Sequence, residues 1–477
     1  MSLEQVPVGS LMPDRFKSIL TERQSEELDR AIERSHQLLG GRVVWTVNST
    51  SRGGGVAEML WSLVAYARGA GVNARWTVIE GSEDFFRTTK RIHNMLHGSE
   101  GDGLGLGAED ESVYLGVGAE NARELGRLVR PTDVVLLHDP QTGGLVAPLR
   151  ETGAKVIWRC HVGVDTANDN VRAAWRFLLP HIRDADAYVF SRDSFIWDDL
   201  DRSRAVIIPP SIDAFSAKNQ DLSPAHTAAI LHAAGIQNGT TAPGSPTFVR
   251  HDGTPGRVDR RAELHESRML ESTDRVVVQI SRWDRLKDHA GVLDAFREGI
   301  APVSDAHLVL AGPSAAAVSD DPEGLAVLEE ITARREACPE PVRDRVHLAS
   351  LPMEDAEENA AIVNALQRRA DVIAQKSLAE GFGLTVSEAM WKGRPVVASD
   401  VGGIRDQIFE GETGVLVEPA DLEGFAEAVR GLLDDPERAE RLGHAAREQV
   451  RSAFLGPRHL TQYVELFGAL LGTPAAA

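Results

Sequence analysis

Residues 42–69 read RVVWTVNSTSRGGGVAEMLWSLVAYARG. The apolar, β-branched run Arg42–Asn48 shows no polar alternation, so the strand it predicts is covered on both faces. Three glycines follow. Val56–Arg68 then carries apolar residues at helical spacing and stops at Gly69. Strand, glycine loop and helix in that order open a βαβ unit, and strands buried on both faces belong to parallel sheets.

The same alternation continues outward. Strands are predicted at Ala74–Glu80, Asp133–Leu137, Lys155–Arg159, Ala187–Ser191 and Ala205–Ile208. This is the pattern of a doubly wound α/β domain. It breaks after Ile208-Pro209-Pro210. The stretch Phe215–Ser272 shows no strand, and its middle, Gln237–Arg261, is rich in Gly, Pro, Thr and charge, which reads as a surface loop or partly disordered insertion. Alternation restarts at Asp274–Ser281 and continues through His307–Ala311, Val346–Leu348, Val372–Gln375, Pro395–Ala398 and Gly414–Val417, giving a second α/β domain. Pro436–Leu471 reads as helices, and the last residues, TPAAA, as a frayed end. Open α/β sheets bind ligands beyond the carboxyl ends of their strands, so two such domains facing each other would place a site in the cleft between them.

The chain has 477 residues, too many for one core, with 51 Lys+Arg against 71 Asp+Glu and a formal charge of −20. That balance argues against a nucleic-acid binder, which needs a basic face, and against attraction to an anionic membrane. No apolar run reaches the length of a membrane span, and the first twenty residues lack the pattern of a signal peptide. Two cysteines, Cys160 and Cys338, make neither a disulfide framework nor a zinc cluster. The chain is therefore expected to be cytoplasmic and full length.

Three motifs carry chemistry. The first is the glycine loop Arg52–Val56. Backbone N–H groups and the helix dipole at such a junction favour an anion, although the spacing matches neither the dinucleotide fingerprint nor the NTPase loop. The second is SRWDRLKD, residues 281–288. Arg282 and Lys287 lie just past a strand's carboxyl end and suit phosphate, but the spacing serves equally well for loop charges paired to Asp284 or Asp288. The third is QKSLAEGFGLTVSEAMW, residues 375–391. Glu380 and Glu388 flank the turn Gly381-Phe382-Gly383-Leu384-Thr385, and a helix begins near Leu384 or Thr385. Such a turn binds anionic oxygens, a carboxylate before it suits sugar hydroxyls, and one on the helix suits a diol such as ribose. The plainer reading is a capped amphipathic helix. Facing carboxylates would instead suggest a glycosidase, which the intervening glycine turn argues against.

His161 and His138-Asp139 end two adjacent predicted strands, which raises the interest of each. Asp184-Ala-Asp186 reads as a solvated turn, Met390 and Trp391 as core, and no side-chain cluster suggests a metal.

Taken together these motifs resemble the retaining glycosyltransferases of the GT-B fold, family 4. They occur in that family's order over about Arg42–Val417. A narrower resemblance, to the trehalose synthase branch, is carried by SRGGGVAEML, HDPQ, WRCHVGVD, PPSIDAFSAKN, EGFGLTVSEAMWKG and VGGIRDQI. The resemblance implies a GT-B fold, with two doubly wound Rossmann-like domains facing a central cleft. Residues 1–212 would be an N-terminal acceptor-side domain with an N-terminal extension, and 213–272 a connecting segment with the insertion. Residues 273–450 would be a C-terminal nucleotide-sugar-binding domain, and 451–477 a helical tail.

It implies an enzyme that moves glucose from a nucleoside-diphosphate glucose (UDP-, ADP- or GDP-linked) to free glucose with retention, forming α,α-1,1-trehalose. Arg282 and Lys287 would hold the diphosphate, and Glu380 the donor sugar's hydroxyls. Glu388 would bind the ribose, and the Gly381–Thr385 backbone (Gly381, Phe382, Gly383, Leu384, Thr385) the sugar and phosphates. Gly54 and Gly55 would close on the diphosphate, His161 would contact the sugar near the reacting carbon, and Asp139 would bind the acceptor. The insertion around Gln237–Arg261 departs from the family's pattern, and Trp283 and Arg285–Leu286 sit beside the cations where variation would alter nucleotide contacts. No cofactor is required, and magnesium is allowed without being implied. Partners would be the sugar nucleotide and glucose, with neither nucleic acid nor membrane, and a homodimer stays open. The alternatives are a trehalose phosphorylase, a family 4 glucosyltransferase using another sugar, sugar phosphate or polyol, and a non-catalytic sugar-nucleotide-binding protein.

Overall fold

The computed structural model describes residues 3–51, 54–239, 244–314 and 322–472. Arg52 and Gly53 of the glycine loop, residues 240–243 of the Gly/Pro-rich stretch and the TPAAA end lie outside the described residues. The chain divides into two compact units, residues 1–211 with 454–477 and residues 212–453. This differs from the four-part division expected. Residues 213–272 are built into the second unit, and the last helix, Gly456–Leu471, belongs to the first.

The first unit is one seven-stranded sheet. Its strands are β1 (Glu4–Val6), β2 (Val44–Asn48), β3 (Ala74–Val78), β4 (Val134–His138), β5 (Lys155–Cys160), β6 (Ala187–Phe190) and β7 (Ala205–Ile207), in the order β1-β3-β2-β4-β5-β6-β7. All neighbours are parallel except β1 with β3. Successive side chains point to opposite faces. Trp45, Val47, Val135, Leu137 and Trp158 enter one core with the helices Glu83–Leu96, Ala108–Gly126 and Asp169–Ile182. Val44, Val134, Leu136, Ile157 and Val189 enter the other with Leu38, Leu39, Tyr463, Val464 and Phe467. Both faces are covered, which is why the strand sequences are continuously apolar.

The second unit opens with the helix Pro224–Ala233 and a hairpin of β8 (Thr247–Val249) and β9 (Pro255–Arg257). Its sheet comprises β10 (Glu263–His265), β11 (Val276–Ile280), β12 (His307–Pro313), β13 (Val346–Leu351), β14 (Val372–Gln375), β15 (Val396–Ser399) and β16 (Val415–Val417). The order is β10-β13-β12-β11-β14-β15-β16, parallel except β10 with β13. The reading of Phe215–Ser272 as strandless is thus corrected. The hairpin turns at Asp252-Gly253, where Gly253 takes φ +85° and the Arg250 N–H donates to Thr254 O at 2.9 Å. Side chains then anchor it. Arg250 donates to both Asp355 oxygens at 3.1 and 2.5 Å, and the Asp259 and Arg260 N–H groups donate to Glu358 at 2.7 and 2.6 Å. The hydrogen bonds from Arg250 hold the Asp355 carboxyl down to about 2. Each unit also has an antiparallel edge strand, β1 or β10, of three residues, too short to show a period in the sequence.

In each sheet the chain reverses its winding direction once, between β2 and β4 in the first and between β11 and β14 in the second. The loops leaving the carboxyl ends of those strand pairs border the crevices where doubly wound sheets take ligands. None of the helices among the described residues is long and apolar enough to cross a membrane.

Candidate functional site

In the second unit, the switch point between β11 and β14 brings two of the predicted residues into contact. Lys287 Nζ lies 2.5 Å from Glu380 Oε2, with the two side chains 16% and 13% exposed. Ser377 Oγ donates to the same oxygen at 3.3 Å. Gln279, fully buried near the end of β11, sets the spacing of the two strand ends. Its Nε2 donates to Lys287 O at 2.7 Å, and its Oε1 accepts from the Lys376 N–H at 3.0 Å. The Leu378 N–H donates to Leu286 O at 2.7 Å and closes the junction. Beneath it the buried Lys376 ammonium pairs with Asp288, which caps the helix His289–Ala295 from a left-handed φ of 48°.

Arg282 behaves differently. Its guanidinium is 66% exposed and reaches Asp284 Oδ2 at 3.4 Å. Of the two cations, then, Lys287 is held in the junction, and Arg282 takes the loop pairing that spacing alone left open. Two neighbours expected to vary with the nucleotide are occupied elsewhere. Trp283 is buried and donates from Nε1 to Pro313 O at 2.9 Å, and Arg285 reaches Glu330 at 3.0 Å.

The glycine turn follows Glu380 directly. Gly383 takes φ +83° and the helix Leu384–Trp391 begins at the next residue. Phe382 is buried, whereas Gly381, Leu384 and Thr385 are partly exposed. Glu388 lies on the second turn of this helix, 3% exposed. Its Oε1 is 3.6 Å from Lys218 Nζ. Lys218 belongs to the stretch Asp213–Gln220, which is tied to the unit by Asn364 Nδ2 donating to Ala217 O and Gln220 O, and by Lys392 Nζ donating to Asn219 Oδ1. Sequence reasoning missed Lys218, although it lies in the quoted PPSIDAFSAKN. Gln279 was also missed; a lone polar residue in an apolar central strand was its signal.

In the first unit, Gly54 has φ +77° and opens the helix Gly54–Gly69, with Gly55 exposed beside it. Asp139 follows β4 in a left-handed backbone, φ 66°. Its Oδ1 accepts the His161 N–H at 2.7 Å, and its own N–H donates to Arg159 O at 2.7 Å. Burial pushes its carboxyl up to about 7. His161 Nε2 lies 3.1 Å from His138 Nδ1, and the rings stack with centroids 5.4 Å apart. Burial, aided by the Arg159 charge, pulls His138 down to about 3 and holds His161 well below its usual range, so both rings are neutral. Asp139, His138 and His161 therefore do form one constellation at the ends of β4 and β5.

Its floor has no sequence signal. Arg159 is fully buried. Its Nη1 contacts His459 Nε2 at 2.8 Å and donates to the Tyr463 hydroxyl at 2.5 Å, and its Nη2 donates to Ile208 O at 3.0 Å. His459 and Tyr463 arrive on the last helix, some 300 residues away in the chain. Cys160 is buried and its thiol pushed well up, so it is not a nucleophile. Asp186 of the D-x-D pattern is structural: it accepts the Val156 N–H at 2.9 Å and pairs with Lys155 at 3.2 Å.

Comparison with known proteins agrees with both halves. Residues 46–197 match a family described as trehalose synthase, N-terminal domain, and residues 260–449 match glycosyl transferases group 1. A trehalose synthase from Pyrococcus horikoshii is 37% identical over 464 residues, 97% of this chain and 98% of that protein. One from Rubrobacter xylanophilus is 35% identical over 477 residues, 98% of this chain and all of that protein. Among solved structures, an α,α-trehalose-phosphate synthase (UDP-forming) from Burkholderia vietnamiensis gives a TM-score of 0.66 at 16% identity, over 91% of this chain and 98% of that one, a likeness of fold. The chain belongs to the trehalose synthase family and is a trehalose-related glycosyltransferase of the GT-B fold.

Proposed function

We propose that the enzyme is a retaining glucosyltransferase that moves glucose from a nucleoside-diphosphate glucose to free glucose, forming α,α-1,1-trehalose. The observation that carries this reading is the Lys287–Glu380 pair beside the Gly381–Gly383 turn. A cation, a carboxylate and backbone N–H groups at a switch point suit a diphosphate joined to a sugar. On this reading Lys287 and Arg282 neutralise the leaving diphosphate. Glu380 accepts hydrogen bonds from the donor sugar, and Gly381 to Thr385 contact sugar and phosphate through the backbone. Glu388 takes the ribose diol. In the first unit, taken by itself, Gly54 and Gly55 suit a phosphate, His161 a sugar hydroxyl and Asp139 the acceptor glucose.

The acceptor hydroxyl enters on the face from which the diphosphate leaves, through an oxocarbenium-like transition state. The leaving phosphate takes the acceptor's proton. The protein's contribution is alignment and fixed positive charge where negative charge develops. Neutral His161 fits this scheme, since it can hydrogen-bond a sugar hydroxyl without adding charge beside an oxocarbenium ion.

The test is product analysis. UDP-, ADP- and GDP-glucose are each offered with free glucose, glucose phosphates and polyols, and products are identified by their anomeric NMR signals. A non-reducing α,α-linked disaccharide from free glucose supports the proposal. Products only from another acceptor, or glucose 1-phosphate from trehalose and inorganic phosphate, overturn it. In the same assay Arg282→Ala and Lys287→Ala are expected to lower kcat by roughly 10²-fold or more, the usual effect of removing one charge-stabilising donor. Near-normal turnover in both would refute the leaving-group role.

A further inference from the structure

The geometry points to Gln407 as a positioning residue that aims the glycine turn at the donor, an inference that rests on the donor reading above. Gln407 follows the segment Gly402–Ile404, which packs on the turn: the Gly403 N–H donates to Gly381 O at 3.1 Å. Its side chain is fully buried. Nε2 donates to Phe382 O at 2.5 Å, to Gly403 O at 3.1 Å and to Gly383 O at 3.3 Å. Oε1 accepts from Ser387 Oγ at 2.5 Å. An amide nitrogen has two hydrogens, so three carbonyls share them, and the amide oxygen needs a donor. Ser387 supplies it, and so fixes which end of the amide faces the turn.

The consequence follows from peptide geometry. In a planar trans peptide the carbonyl and the following N–H point in opposite directions. Carbonyls of Phe382 and Gly383 drawn inward to Gln407 therefore turn the N–H groups of Gly383 and Leu384 outward, away from the buried amide. Those are the groups that an anion at this helix start would use. Ser387 directly precedes Glu388, so the same side chain fixes the helical turn that presents the proposed ribose ligand. One buried amide thereby sets two parts of the donor site, through hydrogen bonds that make no contact with substrate.

Gln407→Met keeps the length and removes both hydrogen-bonding functions. The expected result is a cooperatively folded variant whose KM for nucleotide-glucose, and whose Kd for it by calorimetry, rise about ten-fold, the factor carried by a misplaced hydrogen-bonding group. The KM for glucose stays unchanged. A residue that only supports the fold would lower Vmax through loss of active protein and leave both KM values alone; that outcome overturns the inference. Should Gln407→Met not fold, Ser387→Ala decides, because it removes only the hydroxyl that orients the amide. Its donor KM is expected to rise several-fold and to return in Ser387→Thr, and an unchanged donor KM in Ser387→Ala overturns the inference. If the wild-type protein binds none of the nucleotide-glucoses, the donor reading itself fails, an outcome distinct from both.

Discussion

Replacing Gly402 by alanine tests whether the placement of Glu380 matters to the reaction. Gly402 has φ +48°, and a Cβ built there would stand 1.7 Å from Glu380 O and 2.9 Å from its carbonyl carbon. Both neighbours are backbone, so no side chain can swing aside. Cβ contacts under 3.0 Å are essentially never seen, so the two segments must separate by at least about 1.3 Å. That displacement falls on the peptide of Glu380, whose carboxylate meets Lys287 at 2.5 Å. A shift of about 1 Å in a positioned group lowers a rate by around 10²-fold. Left-handed backbone at an alanine adds about 1–2 kcal/mol of instability.

The two effects can be separated with Gly411→Ala. Gly411 also has a positive φ, of 72°, but no heavy atom lies within 4 Å of its would-be Cβ. In urea unfolding Gly411→Ala should lose only the left-handed cost of about 1–2 kcal/mol, and Gly402→Ala should lose that plus the cost of forcing the two segments apart. Only Gly402→Ala should lose turnover of the proposed transfer, measured as release of nucleoside diphosphate at saturating donor and acceptor. A folded Gly402→Ala enzyme with near-normal kcat and donor KM would refute the argument that Glu380 acts from a fixed position.

The remaining predictions concern stability. His138 and His289, pulled down by burial to about 3 and about 4, and His161 and His459, held well below normal, stay neutral in the native state but charge near pH 6.5 when unfolded. Their contribution is complete above that pH and is lost as pH falls, by up to about 1.4 kcal/mol per pH unit for each. Urea midpoints at pH 7, 6 and 5 should drop steeply, and constant midpoints would mean the rings protonate in the folded protein. Asp139 has the opposite sign. Its carboxyl, raised to about 7, stays protonated in the native state while the unfolded chain ionises near 4, so its contribution diminishes as pH rises from about 4 to 7. Asp139→Asn should therefore gain stability over the wild type at pH 8 and gain little at pH 4, with equal differences at both refuting the raised carboxyl. Ending the chain at Ala453 removes Tyr463, Val464, Leu466 and Phe467, each buried in the first unit and each contributing about 1.5–3 kcal/mol. That sum rivals the whole stability of a domain, so limited proteolysis should digest the first unit and leave the second intact.

Much of this architecture was legible because each central strand is short, β-branched and covered on both faces. Thirteen residues of helix after RGGG, or the turn EGFGL between two glutamates, announce themselves at a single glance along the chain. What escaped depends on partners far apart in sequence. Lys218 meets Glu388 across 170 positions, and Arg159 meets His459 across 300. Neither residue's local context distinguishes it from a solvated lysine or an ordinary strand arginine. The hairpin Thr247–Arg257 was lost for a different reason. Its Asp252-Gly253 turn signal was present, but the surrounding Gly and Pro suppressed the strand pattern, and its arms hold through Arg250 and Asp355 with one buried apolar side chain, Phe248, in place of an alternating apolar face.

The return of the last helix to the first sheet bears on how the protein is made. The second unit is a continuous stretch and can fold as soon as it leaves the ribosome. The first unit is discontinuous: its sheet emerges early but lacks Tyr463, Val464 and Phe467 over Leu38, Val44 and Leu136 until about 250 more residues have been added. At about 5–20 residues per second, that is a wait of roughly 10–50 seconds with an apolar sheet face only partly covered, by Leu38 and Leu39. The half synthesised first is thus the half completed last.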